Sequence, residues 1–272
     1  MDFNDDTALQ AGEAPGSFDA ELTDRWWIVT GPNGGLLAAL LLRAVQAVVG
    51  ESRPELAARI LTVQFLSGPK VGPVHVQVRL DKDGRRVCFA SAVMTQGDRV
   101  ICQAKVTLVA PLGNEFDLVD HVMPPAPPPD ECPIMPAAVT YGNARQRWQR
   151  RDVDLGRPDA VCGWLRLDPP VPIDVAVLAL MCDNLPPSLR GHFAEPDPDL
   201  AERTHTTSIE MTIYFRCAEV ALAPTDECLV LLQSATVSDG LHQEEGEVWS
   251  ANGRLLATSR QLALVFRRPD SH

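Results

Sequence analysis

Residues 36–42 read Leu-Leu-Ala-Ala-Leu-Leu-Leu, and a helix with so little polar surface has to be enclosed by the rest of its chain. Leucine and alanine favour helix. The preceding turn, Gly31-Pro32-Asn33-Gly34-Gly35, offers Asn33 as the N-cap. The apolar stretch from Gly35 to Val49 is interrupted by Arg43 and Gln46, and it is too short to cross a bilayer. The next fifty residues supply the wrapping. Strand-like segments run over Leu61–Leu66, Val74–Leu80, Val87–Met94 and Val100–Val109, separated by turns at Gly72-Pro73, Asp83-Gly84 and Gly97-Asp98. Strands joined by such short turns are antiparallel neighbours. One buried helix inside an antiparallel meander is expected.

The same order recurs later in the chain. Val161–Leu167 reads as a strand and Asp174–Cys182 as a second very apolar helix, stopped by Pro186-Pro187. Strands are then expected over Thr206–Phe215, Cys228–Val237, Gln243–Trp249 and Leu255–Phe266, with hairpin turns at Asp239-Gly240 and Asn252-Gly253. Between the two copies, Pro111–Pro136 holds eight prolines among acidic residues, a composition that favours extended chain over sheet. The expected division is residues 15–110, a Pro-rich linker over 111–140, and residues 141–268. Leu61-Thr62-Val63-Gln64-Phe65 aligns with Met211-Thr212-Ile213-Tyr214-Phe215, and Arg99-Val100-Ile101 with Arg254-Leu255-Leu256. The pattern is that of an internal duplication.

Composition narrows the function by exclusion. A formal net charge of −12 argues against non-specific nucleic-acid binding. The acidic start, Met1-Asp2-Phe3-Asn4-Asp5-Asp6, has no apolar core of a secretory signal. Seven cysteines, an odd number without CxxC spacing, disfavour a disulfide framework or a zinc site and point to the cytoplasm. His75, His121, His192, His205 and His242 are dispersed, so no metal is expected, and no cofactor is implied. No GxSxG elbow of an α/β-hydrolase is present, and Gly31–Gly35 lacks the ending of a phosphate loop. Trp26-Trp27 reads as core, and Arg145, Arg147, Arg150 and Arg151 as a solvated face that could otherwise meet phosphates.

A helix enclosed by a curved antiparallel sheet, present twice, resembles the double hot-dog fold of acyl-CoA thioesterase II, the TesB-like proteins. The fold class is α+β: two tandem curved antiparallel sheets, each wrapped around a long buried helix. The resemblance covers roughly residues 24–109 and 164–267. It rests on Gly31-Pro32-Asn33-Gly34-Gly35, Val63-Gln64-Phe65-Leu66-Ser67-Gly68-Pro69, Cys182-Asp183-Asn184-Leu185-Pro186, the strand Thr207–Arg216, and Ser259-Arg260-Gln261-Leu262. It implies an acyl-CoA substrate and a water held by an aspartate, a hydroxyl residue and a glutamine. Those roles fall on Asp183, Ser208 (threonine in many relatives) and Gln261.

The chemistry suits those residue types. A carboxylate can take the proton of an attacking water, while a hydroxyl and an amide orient it without charge. Asp183, at a helix C-terminus after an apolar run, is expected to have a raised pKa from both dipole and burial. Ser208 is expected to share one strand face with Glu210 and Thr212. Backbone N–H groups at Asn33, Gly34 and Gly35 are the candidate substrate-binding oxyanion donors, glycine allowing close approach of a ligand. The duplication places Ala58 opposite Ser208 and Val106 opposite Gln261, so one site per chain is expected, in the second half. A non-catalytic acyl-CoA or acyl-ligand binding protein on the same fold is the alternative; a hot-dog hydratase fits less well, for want of its Asp and His pair. Exposed strand edges predict a homodimer or larger homo-oligomer.

Overall fold

The computed structural model describes residues 1–28, 31–113, 118–136, 143–194, 204–220 and 222–267. After a short N-terminal turn of helix, α1 (Phe3–Asp6), come β1 (Gln10–Ala11), β2 (Ser17–Leu22), α2 (Gly34–Gly50), β3 (Ala57–Phe65), β4 (Gly72–Asp83), β5 (Val87–Gln96) and β6 (Arg99–Val109). The second half contributes β7 (Trp148–Val153), β8 (Ala160–Leu167), α3 (Val175–Met181), β9 (Thr204–Phe215), β10 (Cys228–Ser238), β11 (Leu241–Ser250) and β12 (Leu255–Arg267). All of these strands pair antiparallel in the order β1-β2-β4-β5-β6-β3-β9-β12-β11-β10-β8-β7. That order is palindromic: each strand of one half has a counterpart at the mirrored place in the other. The two curved sheets meet edge to edge where β3 pairs with β9, so they form one continuous sheet.

The helices sit on the inner face. In α2 the Asn33 side chain caps the helix through Leu36 N, and Leu36, Leu37, Leu40, Leu41 and Leu42 are all buried. Each such leucine contributes roughly 1.5–3 kcal/mol through the area it removes from water. The second helix is much shorter than the first; Asp174 is its N-cap, with Oδ1 accepting from Val177 N, and the helix ends at Met181. The two helices pack against each other across the halves.

Three elements escape a reading of hydrophobic pattern. Ser17–Leu22 and Trp148–Val153 are polar strands at or next to the sheet ends, and α1 is a single capped turn. The segment expected as linker is in part packed on the second half. Cys132 is buried, Pro127 O accepts from Trp164 Nε1, and Met135 N donates to Arg150 O on β7; residues 114–117 and 137–140 of it lie outside the described residues. Those contacts cover part of the β7 edge, and the other edge, β1, is two residues long. All seven cysteines are buried and free. Trp26 lies in the core with Nε1 donating to Asp6 Oδ2. Of the arginine cluster, Arg150 and Arg151 pair with Asp152 and Glu227 rather than forming a free basic face. Asp239 and Gly240 both take positive φ in the β10–β11 hairpin, as a tight turn requires. Among the described residues no helix is long and apolar enough to cross a membrane, and no group of His, Cys, Asp or Glu is placed to hold a metal ion.

Candidate active site

A cavity of about 680 Å³ opens between the start of α2, the segment after α3 and the β9–β12–β11 portion of the sheet. Asp183, Ser208 and Gln261 all line it, as do Asn33 and Gly34. The structure brings together residues that are far apart in sequence. Gln261 Nε2 donates to Ser208 Oγ at 2.6 Å, and the Gln261 amide stands near enough to the Asp183 carboxylate to favour its charged form. Asp183 is enclosed by protein on most sides while still reaching the cavity surface.

The seat of Asp183 differs from the sequence-based expectation. It lies just past α3, but its carboxylate faces the start of α2, where Gly35 N donates to Asp183 Oδ2 at 3.1 Å. A carboxylate at a helix N-terminus is favoured by unpaired N–H groups and the positive end of the dipole. Burial nevertheless dominates and pushes the pKa up to about 6, with the amides of Gly35, Gln261 and Gly34 opposing it. The raised pKa thus comes from desolvation, and the macrodipole of α2 works against it.

The same contact bears on the expected role of Gly35, whose N–H is taken by the Asp183 carboxylate, while Asn33 and Gly34 line the cavity. Asn33 Oδ1 caps α2, and its Nδ2 donates to Asp183 O at 2.6 Å. The glycines are needed for close approach, but of protein to protein. A Cβ on Gly35 would stand 2.8 Å from Leu180 Cα, and one on Gly34 would stand 2.9 Å from Asp183 Oδ2.

Ser208 reaches the cavity through a bulge. β9 and β12 are in regular register up to Glu210↔Leu262 and resume at Ser208↔Ala263, leaving Ile209 unpaired as an extra residue. A bulge resets the alternation of faces. Glu210 and Thr212 therefore point outward, where Thr212 Oγ1 meets Thr62 Oγ1 at 3.0 Å and Glu210 accepts from Gln64 Nε2. Ser208 points in. The expectation that all three share a face fails for this reason.

Two further groups were missed by sequence reasoning. On β11, His242 and Glu244 are buried and line the same cavity. Burial, reinforced by the Asp183 charge, pushes Glu244 up to about 8 against hydrogen bonds from Ser188 N and Oγ. Burial and then the nearby His192 take His242 down to about 4. The signal that could have found them is the spacing of two ionisable residues at inward positions of an otherwise buried strand. At the cavity rim stand Arg145, Arg190 and Arg267.

A carboxylate, an amide and a hydroxyl thus share one cavity of a helix-wrapped double sheet, the hot-dog architecture. Residues 23–109 match the acyl-CoA thioesterase N-terminal domain and residues 119–265 the acyl-CoA thioesterase C-terminal domain. The chain belongs to the acyl-CoA thioesterase family. It is 26% identical over 279 aligned positions to an uncharacterized protein of Mycobacterium tuberculosis, covering 91% of this chain and 90% of that one. Among solved structures it is similar to a hot-dog protein of unknown function from Alicyclobacillus acidocaldarius, with TM-score 0.83, 27% identity and 98% of both chains covered. It also shares its fold with acyl-CoA thioesterase II TesB2 from Mycobacterium marinum, with TM-score 0.78, 20% identity, and 99% and 100% coverage.

Proposed function

We propose that this protein hydrolyses acyl-CoA thioesters to the free fatty acid and coenzyme A by activating a water, with no covalent acyl-enzyme. The observation that carries the reading is the placement of Asp183, Gln261 and Ser208 on the wall of one cavity, with Gln261 bonded to Ser208. In its ionised form Asp183 accepts the proton of a water while that water attacks the thioester carbon. Gln261 and Ser208, already joined to each other, fix the direction of attack. The carbonyl bond to sulfur then breaks, and coenzyme A leaves as a thiolate stable enough to need no strong acid. Residues 15–110 and 141–268 act as the two hot-dog units, and the arginines at the rim suit the phosphates of the coenzyme.

The reading is tested by thiol release from short, medium and long acyl-CoAs, using wild type beside Asp183→Asn. Release that Asp183→Asn abolishes supports it. Tight acyl-CoA binding with no release from any substrate would leave a binding protein instead.

A further inference from the structure

The cavity wall carries Leu37, Phe65 and Leu232, yet two ionisable side chains, Glu244 and His242, interrupt it. Glu244 stands directly opposite Gln261 in the β11–β12 ladder, and His242 is the next inward residue, opposite Ala263. Facing residues of an antiparallel pair have Cα atoms about 4.5–5.5 Å apart. Glu244 therefore lies beside Gln261, and His242 stands one inward position further along β11. His242 is 1% exposed and its Nε2 has no hydrogen-bond partner among the described residues. Glu244 is 6% exposed, and both of its hydrogen bonds, from Ser188 N and Oγ at 3.3 Å, go to Oε2. Oε1 is left for the occupant of the cavity.

We propose that the acyl group taken by this site carries a hydrogen-bonding oxygen, a hydroxyl or keto group near the thioester, which Glu244 and His242 hold. The proposal rests on the thioesterase reading above and names its substrate class. A plain saturated chain would cover the two polar groups without pairing them, and a buried group left unpaired is penalised far more than a satisfied one is rewarded. Sites built to bond a substrate oxygen reject the analogue lacking it for this reason. The protonation states fit as well. With its pKa pushed up to about 8, Glu244 is a neutral carboxylic acid at pH 7 and can donate, while His242 stays neutral and can accept or donate. A hydroxyl can satisfy both.

The test is kcat/KM for hexanoyl-CoA against hexanoyl-CoAs bearing one hydroxyl at carbon 3, 4 or 5. The same panel is measured by equilibrium binding to Asp183→Asn, which reads selectivity without turnover. Wild type is expected to favour at least one hydroxylated chain by tenfold or more. His242→Leu and Glu244→Leu should narrow the ratio by losing the hydroxylated substrate and gaining the plain one. Glu244→Gln, which keeps the shape and a donor, should retain most of it and guards against loss through misfolding. Equal or better use of the plain chain, in both turnover and binding, overturns the proposal while leaving a thioesterase. Absence of turnover from every substrate defeats the thioesterase reading, and the binding panel then decides the selectivity on its own.

Discussion

The two halves of the sheet share one strand order and differ in the side chains they turn inward. Thr62 and Thr212, equivalent in the duplication, face each other across the β3–β9 junction, which places the pseudo-twofold axis between them. Each half has a bulge at the matching point, Arg59 in β3 and Ile209 in β9. Each turns one residue inward: Ser208 in the second half, Ala58 in the first. The residue standing where Gln261 stands is Val106, and at the same remove from its helix cap as Asp183 is Leu42. Leu42, Ala58 and Val106 are all buried. In place of a site, the first half holds α1, with Phe3 packed edge-on to Trp26 and lying under Arg43, whose guanidinium reaches Asn4 and Asp174. The duplicated fold supplies a bulge and a helix start twice; on the proposed reading, three side chains decide which copy has chemistry.

The comparison breaks most completely at Asp183. Replacing it with asparagine keeps its shape and removes the base, so thiol release should fall about 10²–10⁴-fold, with the thermal midpoint not lowered. A residual rate within tenfold of wild type would move the chemistry elsewhere. Changing Leu42, Ala58 or Val106 conservatively should leave the rate within about twofold, measured in the same assay.

The helix starts break next. Gly35 has Ala176 as its counterpart after the Asp174 cap, yet a methyl added at Gly35 would come within 3 Å of both Leu180 Cα and Leu180 O. Gly35→Ala should separate α2 from α3 and cost about 1–3 kcal/mol in denaturant unfolding, with activity falling because Asp183 loses its seat. Ala176→Gly adds no atom and should cost about 1–2 kcal/mol, from helix propensity and the loss of a buried methyl, with activity retained.

Sequence was a good guide to everything that depends on periodicity. The runs at Leu36–Leu42 and Val175–Met181 announce buried helices, and the long strands follow from alternation. It was a poor guide wherever a contact crosses the halves. That Asp183 sits at the start of α2 depends on packing between residues about 150 apart, and no local pattern encodes it. The bulge at Ile209 is equally invisible, because Ser-Ile-Glu-Met-Thr-Ile reads as clean alternation; the structure inverts the face of its first residue. β2 and β7 were missed because Ser17–Leu22 and Trp148–Val153 are too polar to stand out. Nothing in Gln243-Glu244-Glu245 distinguishes the inward carboxyl of Glu244 from its outward neighbours.

The inward carboxyls set a pH dependence that the silent half lacks. Asp183 works as a base only when ionised, so kcat/KM should rise with pH through about 6 and then level. Stability should run the other way. Folding raises Asp183 from 3.8 to about 6 and Glu244 from 4.5 to about 8. The native state therefore holds more protons than the unfolded chain across that range, and stability falls as pH climbs from about 4 to about 8. Glu244→Gln should flatten the upper part of this decline in urea titrations at pH 5 and pH 8. A decline unchanged in the variant would assign it to other groups.

The smallest effect is expected at Ser208, which is held by Gln261 and carries no charge. Ser208→Ala removes one orienting hydroxyl but leaves the base and the amide, so the rate should drop by roughly tenfold or less, in keeping with loss of a single neutral hydrogen bond. Ser208→Thr keeps the hydroxyl and adds a methyl that restricts χ1. If the inward bulge leaves space for it, the stiffer rotamer should hold the Gln261 contact better and raise kcat modestly. A large loss in Ser208→Thr with little loss in Ser208→Ala would show that the wall there is closed and that shape, not the hydroxyl, sets its role. The mirrored change Ala58→Ser, made alone, should add nothing, because its neighbours Leu42 and Val106 offer a water no base and no amide.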